Sequence, residues 1–170
     1  MLGPAPVLDF DGTIAYLPVD WAGLREQLGV RFIDELWGHP SHVWDVVTRA
    51  ELVASAAAEP VPGTLRALRT VTTFAVLTNN SESAVRAFLR RLEGLVPEPA
   101  VIVGRETLAG PKRDPRRFRM GFEQCVEMTS GARDGGPIIY VGDADYERNL
   151  AADLGANALD VARLDAYMSS

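Results

Sequence analysis

Val7-Leu8-Asp9-Phe10-Asp11-Gly12-Thr13 stands only a few residues into the chain. Side chains alternate along a strand, so two carboxylates two positions apart point to one face. The apolar run Val7-Leu8 reads as the end of a strand, and Gly12 lets the backbone turn away, leaving Asp9 and Asp11 together at its tip. Two acids on one tip repel each other unless a cation lies between them. The usual cation is a metal ion, and a carboxylate beside a metal can also serve as a nucleophile. Taken alone, Asp9 to Thr13 reads equally well as a strand followed by an ordinary Asp-Gly turn.

Three further elements break the tie, each at or just beyond the end of a predicted strand. Phe74-Ala75-Val76-Leu77 runs into Thr78-Asn79-Asn80. Gly110-Pro111-Lys112-Arg113-Asp114-Pro115 follows the run Val101-Ile102-Val103. Ile138-Ile139-Tyr140-Val141 runs into Gly142-Asp143-Ala144-Asp145-Tyr146-Glu147. Short apolar runs bounded by turn signals alternate with helical patterns, which argues for a parallel α/β sheet. Strands are expected over residues 7–10, 73–77, 101–103, 138–141 and 158–161. Ala84, Val85, Phe88, Leu89 and Leu92 share one helical face, closed by Gly94. Asp114 as N-cap with Pro115 behind it opens a helix whose apolar face is Phe118, Phe122, Cys125 and Val126. A further helix is expected over 147–154, closed by Gly155. Doubly wound sheets bind ligands at the carboxyl ends of their strands, which is where Asp9, Thr78 and Asp143 fall.

Residues 16–60 break the sheet pattern. Trp21, Leu24 and Leu28 share a helical face, as do Phe32, Ile33, Leu36 and Trp37. Trp44 and Val47 begin a third helical stretch, extended by Glu51 and Leu52 and ending in an alanine-rich run before Glu59-Pro60. Pro60-Val61-Pro62-Gly63 marks the return to the sheet, with a short helix expected over 64–69. The segment reads as a small helical cap, packed by Trp21, Trp37 and Trp44. His39 and His42 have a metal-compatible spacing, but with no nearby cysteine and no third ligand they read as a surface turn. Residues 131–136 are the most loop-like stretch elsewhere.

A chain of 170 residues is one domain with room for such an insertion. Seventeen basic against twenty-three acidic residues, a net charge of −6, argue against an extended nucleic-acid phosphate track. The single cysteine, Cys125, rules out an intramolecular disulfide, suits a reducing compartment and lies on an apolar helix face. The first residues carry no positive charge and no long apolar run, and no window reaches the length of a membrane span. The expectation is a soluble cytoplasmic protein, monomer or homodimer, with neither nucleic acid nor membrane as partner.

The four motifs, in this order, resemble those of the haloacid dehalogenase-like hydrolase superfamily, in particular its phosphoglycolate-phosphatase-like branch. The resemblance covers the whole chain except 16 to about 60. It implies a Rossmann-like three-layer α/β/α fold with a central parallel sheet, the Val7 strand lying between the Phe74 and Ile138 strands. It divides the chain into a catalytic core, 1–15 and 61–170, and a cap, 16–60, shorter than is usual in that branch.

The resemblance also implies a Mg²⁺-dependent phosphatase that hydrolyses a small phosphorylated metabolite through an aspartyl-phosphate. Asp9 is then the nucleophile and Asp11 the general acid and base. Thr78 and the Asn79 amide bind phosphate near a helix N-terminus, and Lys112 supplies a compact positive charge. Arg113, Arg116, Arg117 and Arg119 read as a solvated helix face. The metal ligands are Asp9, the backbone carbonyl of Asp11, and Asp143. Where the family has a further Asp this chain has Glu147, whose extra methylene suits contact through a metal-bound water; Asp145 is the alternative. Asp11 favours a phosphatase over a dehalogenase, whose motif resembles this one without the second acid. Two other readings stay open: a phosphotransferase or phosphomutase of the same superfamily, and a catalytically weak phosphate-binding scaffold.

Overall fold

The central strand carries no polar side chain because it has no solvent face. In the computed structural model, which describes residues 5–133 and 135–168, β1 (Val7–Leu8) pairs in parallel with β4 (Phe74–Leu77) on one side and β6 (Ile139–Val141) on the other. Every residue of these three strands is buried. Strands covered on both faces read as continuous apolar runs rather than as alternation. β5 (Pro99–Val103) and β7 (Asn157–Leu159) complete a five-stranded parallel sheet in the order β5-β4-β1-β6-β7.

Successive side chains go to opposite layers. Leu8, Phe74, Val76, Ile139 and Val141 join one cluster with Val85, Phe88, Ala67 and Leu164, from helices α4 (Glu82–Arg90), α3 (Pro62–Leu68) and α8 (Val161–Met168). Val7, Ala75, Leu77 and Tyr140 join the other with Phe118, Phe122, Cys125 and Ala151, from α6 (Pro115–Thr129) and α7 (Asp145–Asp153). A single turn, α5 (Arg105–Leu108), follows β5. The result is a Rossmann-like three-layer α/β/α fold with the Val7 strand between its two expected neighbours.

The inserted region leaves and rejoins the sheet through a two-stranded antiparallel stem, β2 (Ala15–Tyr16) against β3 (Glu59–Pro60). Between these strands lie α1 (Trp21–Leu28), a 3-10 helix (Ile33–Gly38) and α2 (His42–Ala57). Asp20 caps α1 by accepting from the Gly23 amide at 2.9 Å. Leu24, Leu36 and Val47 form a small core of their own. α2 is fastened to α4 by polar contacts: Ser55 Oγ donates to the Ala84 carbonyl at 3.0 Å, and Arg91 Nη1 donates to the carbonyls of Ser55 and Ala58 at 2.6 and 2.9 Å.

Several boundaries differ from the sequence reading. The first strand stops at Leu8, because the Phe10 carbonyl turns to accept from the amides of Thr13, Ile14 and Ala15. The last strand ends at Leu159: Asp160 accepts from the Arg163 amide at 3.0 Å, and Val161 belongs to α8. α7 starts at Asp145, ahead of the expected 147, and α3 starts at Pro62, whose missing N–H costs nothing in a first turn. The expected helical face of Phe32, Ile33, Leu36 and Trp37 falls on a 3-10 helix, Ile33–Gly38, with Phe32 as its extended N-cap. Leu52, expected inside, is 39% exposed, while Glu51 is buried. His39 and His42 are both exposed. The readings at residues 1–4 and at position 134 of the 131–136 loop lie outside the described residues. No described helix is long and apolar enough to cross a membrane.

Candidate active site

The tip of β1 is shaped by its turn. Gly12 has φ +76°, a left-handed conformation that side chains rarely adopt, and a Cβ there would lie 2.5 Å from Asp143 Oδ2. The glycine therefore lets the loop after β6 close over the loop after β1. The register sets Asp9 beside Leu77 and Gly142 in the sheet, and the Asp9 amide donates to the Val141 carbonyl at 2.9 Å. Oxygens of Asp9, Asp143 and Glu147 all lie within 4.8 Å of one another. Asp9 and Glu147 are buried and Asp143 is exposed. Asp11 is half-buried, with Oδ1 accepting from the Leu17 amide at 3.0 Å.

Lys112 sits inside this cluster and is itself buried. Its Nζ donates to Asp9 Oδ1 at 2.6 Å and to the Leu77 carbonyl at 3.2 Å, and pairs with Glu147 Oε1 at 2.7 Å. An ammonium has three donors, and all three are used. Burial works to lower the Lys112 pKa, but the charges of Asp9 and Glu147 outweigh it and hold the pKa above its ordinary value. Asp9 is pushed up to about 7: loss of water outweighs the attraction of Lys112, and the Glu147 charge adds to the rise. Burial also raises Asp11, against the hydrogen bond from Leu17, with Asp143 adding to the rise.

Three carboxylates thus face one ammonium, and a divalent cation would balance the surplus. The donor set fits a hard cation, since it consists of oxygens alone. The three carboxylates are not equivalent, however. Glu147 Oε1 accepts from Tyr146 Oη at 2.9 Å in addition to Lys112, and Oε2 accepts from Tyr140 Oη at 2.7 Å. With both oxygens engaged, Glu147 orients the lysine, whereas Asp9 and Asp143 have oxygens that could take a cation. Gly142 makes room for this, because a Cβ on it would lie 2.7 Å from Glu147 Oε2. Asp145, the alternative to Glu147, pairs instead with Arg148 at the surface and stands outside the cluster.

The loop after β4 supplies the opposite wall. Thr78 Oγ1 donates to Asn80 Oδ1 at 2.9 Å and accepts from the Asn80 amide at 3.2 Å. Asn79 Oδ1 accepts from the Lys112 amide at 2.8 Å, tying this loop to the one after β5. Behind it lies a buried pair that has no local signature in the sequence. Glu51, on α2, accepts from Arg105 Nη1 and Nη2 at 3.1 and 2.9 Å, from Asn80 Nδ2 at 3.0 Å and from the Ser81 amide at 3.1 Å. Arg105 also reaches Thr48 Oγ1 at 2.7 Å and the Asn79 carbonyl at 3.3 Å, and lies 4.7 Å from the Trp44 ring centroid. The one hint was a glutamate on an otherwise apolar helix face.

A cleft of about 390 Å³ is lined from the sheet side by Asp9, Asp11, Thr78, Asn79, Lys112 and Glu147; Asp143 is not among its lining residues. Arg113 turns toward the insertion and pairs with Asp34 at 2.8 Å. Arg116 and Arg119 are exposed, consistent with a solvated face, and Arg117 is half-buried.

No family model matches the chain, and no curated protein sequence matches it. Solved structures do. A hydrolase from Pseudomonas syringae superposes with a TM-score of 0.63 at 16% identity, over 96% of this chain and 89% of that one. A proposed phosphoglycolate phosphatase from Lactobacillus plantarum gives 0.58 at 14% identity, over 98% and 89%. The L-2-haloacid dehalogenase of Xanthobacter autotrophicus gives 0.57 at 17%, over 96% and 78%. The chain therefore has the fold of the haloacid dehalogenase-like hydrolases. At these identities the likeness is one of fold alone, and it spans proteins described by different chemistries.

Proposed function

We propose that the protein is a Mg²⁺-dependent phosphatase that hydrolyses a small phosphomonoester through an aspartyl-phosphate on Asp9. The observation that carries this reading is the meeting of Asp9, Asp143 and Glu147 within 4.8 Å, with the Lys112 ammonium hydrogen-bonded to Asp9. Asp9 and Asp143, with the Asp11 carbonyl, would hold the cation, which when bound neutralises charge on the phosphoryl oxygens.

The chain's own residues do the rest. A carboxylate oxygen of Asp9 bonds to phosphorus as the bond from phosphorus to the ester oxygen breaks, and Asp11 gives its proton to the departing alcohol. Burial moves the pKa of Asp11 upward, the direction this first role needs. Asp11 then takes a proton from water, whose oxygen attacks the same phosphorus. The acyl-phosphate bond breaks, leaving inorganic phosphate and the Asp9 carboxylate. Lys112 keeps its charge throughout, and Glu147, Tyr140 and Tyr146 fix where that charge stands. Thr78 and Asn79 line the face from which phosphate oxygens are bound.

Asp11 also weighs against dehalogenation, which needs no acid at that position. Glu147, the departure that left room for a non-catalytic scaffold, keeps a complete set of partners around the lysine. The insertion between the first and second motifs supports a phosphoglycolate-phosphatase-like arrangement, with residues 16–60 as cap.

The reading is tested by assaying phosphate release from a broad panel of phosphate esters, with Mg²⁺ and with chelator. Mg²⁺-dependent release that disappears in Asp9→Asn is expected. Turnover surviving that substitution would remove Asp9 as the nucleophile.

A further inference from the structure

We infer that the alcohol released by this site carries a planar heterocycle, as in a nucleoside, held between Trp21 and Phe32 and read at its edge by Arg25. The inference rests on the phosphatase reading and names the class of its substrate. A cleft of about 390 Å³ falls within the range of small-molecule pockets, roughly 300–1,000 Å³. That is far more than a phosphate with a two-carbon tail fills, and the excess lies toward the insertion.

The walls there are aromatic, but not all of the rings are available. Trp37 and Trp44 are spent on each other, with centroids 4.6 Å apart, and the Arg105 guanidinium covers Trp44. Trp21 lines the cleft and is half-buried against the Leu24, Leu36 and Val47 core, with no ring partner among the described residues. Phe32 also lines it and is 56% exposed, a large apolar area left in water, with only its neighbour Arg31 over the ring at 5.2 Å. A flat ligand ring entering the cleft would bury both surfaces at once.

The cations divide in the same way. Lys112 is committed to Asp9 and Glu147, Arg105 to Glu51, and Arg113 to Asp34. Arg25 lines the same cleft, and among the described residues its guanidinium has no partner. It lies four residues after Trp21 in α1, and therefore on the same helix face. A guanidinium only donates, so the ligand edge it meets must accept. Carbonyl oxygens and ring nitrogens of a heterocycle do so in the plane of a stacked ring. An aliphatic phosphate would leave both aromatic faces unused.

The test measures kcat/KM with Mg²⁺ for purine and pyrimidine nucleoside 5′-monophosphates, pyridoxal 5′-phosphate, phosphoglycolate and glycerol 3-phosphate. At least one ring ester should exceed the aliphatic esters by about tenfold or more, and comparing the nucleotides with the pyridine ester identifies the ring. Phe32→Ala, Trp21→Leu and Arg25→Met should each lower the ring-to-aliphatic ratio about five- to tenfold, the usual scale of base stacking. Phe32→Ala is the cleanest variant, because its exposed ring contributes little to folding. Aliphatic esters turned over as well as ring esters, or a ratio indifferent to Phe32→Ala, overturns the inference and leaves the phosphatase reading standing. If no ester is hydrolysed, the phosphatase reading falls instead, and calorimetric titration of AMP into the Asp9→Asn protein decides the ring site. Binding weakened several-fold by Phe32→Ala supports it; no binding, or binding indifferent to that change, overturns it.

Discussion

Replacing Glu51 by glutamine removes a charge on which four donors from two segments converge. Its carboxylate holds both terminal nitrogens of Arg105, the Asn80 side chain and the Ser81 amide. The ion pair is sealed from water, its side chains only 5% and 1% exposed, so solvent screening does little to discount it. Losing one member of a buried pair costs about 3–5 kcal/mol, chiefly because the other charge is left without its counterion. Two features place this case at the low end. Glutamine keeps one carbonyl acceptor, and Arg105 keeps Thr48, the Asn79 carbonyl and the Trp44 ring. The expected loss is therefore about 3 kcal/mol. In a domain of this size each kcal/mol moves Tm by about 2–4 °C, which gives a fall of about 6–12 °C by calorimetry. Asn80 and Ser81 are released together with Arg105, so kcat/KM should fall by about ten- to a hundredfold through misplacement of the phosphate-facing loop. Removing both charges in a Glu51→Met, Arg105→Met double variant should recover most of the stability. A Glu51→Gln protein melting within about 1 °C of the parent would mean that apolar packing alone seats α2 on this loop.

Other outcomes follow from the same geometry. Asp9→Asn should fold normally and lose roughly 10⁴-fold or more in kcat, with no phosphorylated protein detectable by mass spectrometry. Glu147→Gln should lower kcat about 10- to 100-fold at saturating Mg²⁺, since it loosens Lys112; full recovery of kcat by added Mg²⁺ would make Glu147 a ligand instead. Gly12→Ala should cost about 1–2 kcal/mol for its left-handed backbone and weaken Mg²⁺ binding by displacing Asp143, measured by denaturant titration and calorimetry. Burial pushes the Cys125 thiol up to about 12, so a disulfide reagent at about pH 8 should label the unfolded chain and leave the native one untouched.

The sheet and the β1 tip were legible because their signals are local. Short apolar runs bounded by turn residues placed all five parallel strands; Asp9 and Asp11 both line the cleft, but in the turn beyond β1 rather than on a strand face. Ends of elements were less legible, because caps compete with pattern: Asp160 reads as strand until its side chain is seen closing on Arg163. The partners of Glu147 were not legible. Tyr140 reads as an apolar strand residue, and only the fold turns its hydroxyl toward the carboxylate. The pairing of Glu51 with Arg105 links positions 54 apart in the chain, a separation at which no periodicity carries information. Leu52, beside Glu51, shows the limit from the other side: both were read as extending the same helical stretch, and the structure turns only the glutamate inward.

The fastening of α2 constrains how anything enters the cleft. Its C-terminal half is bonded to the α4 layer through Ser55 and Arg91, and its middle to the β4 loop through Glu51. The insertion is therefore unsuited to swinging open as one rigid body about its two-stranded stem. The arm formed by α1 and the 3-10 helix is bound to α2 in turn, since Leu24 and Leu36 share an apolar core with Val47 and Trp37 lies against Trp44. Opening it would bring that seam into water, so ligands of this cleft must thread a mouth that is already built.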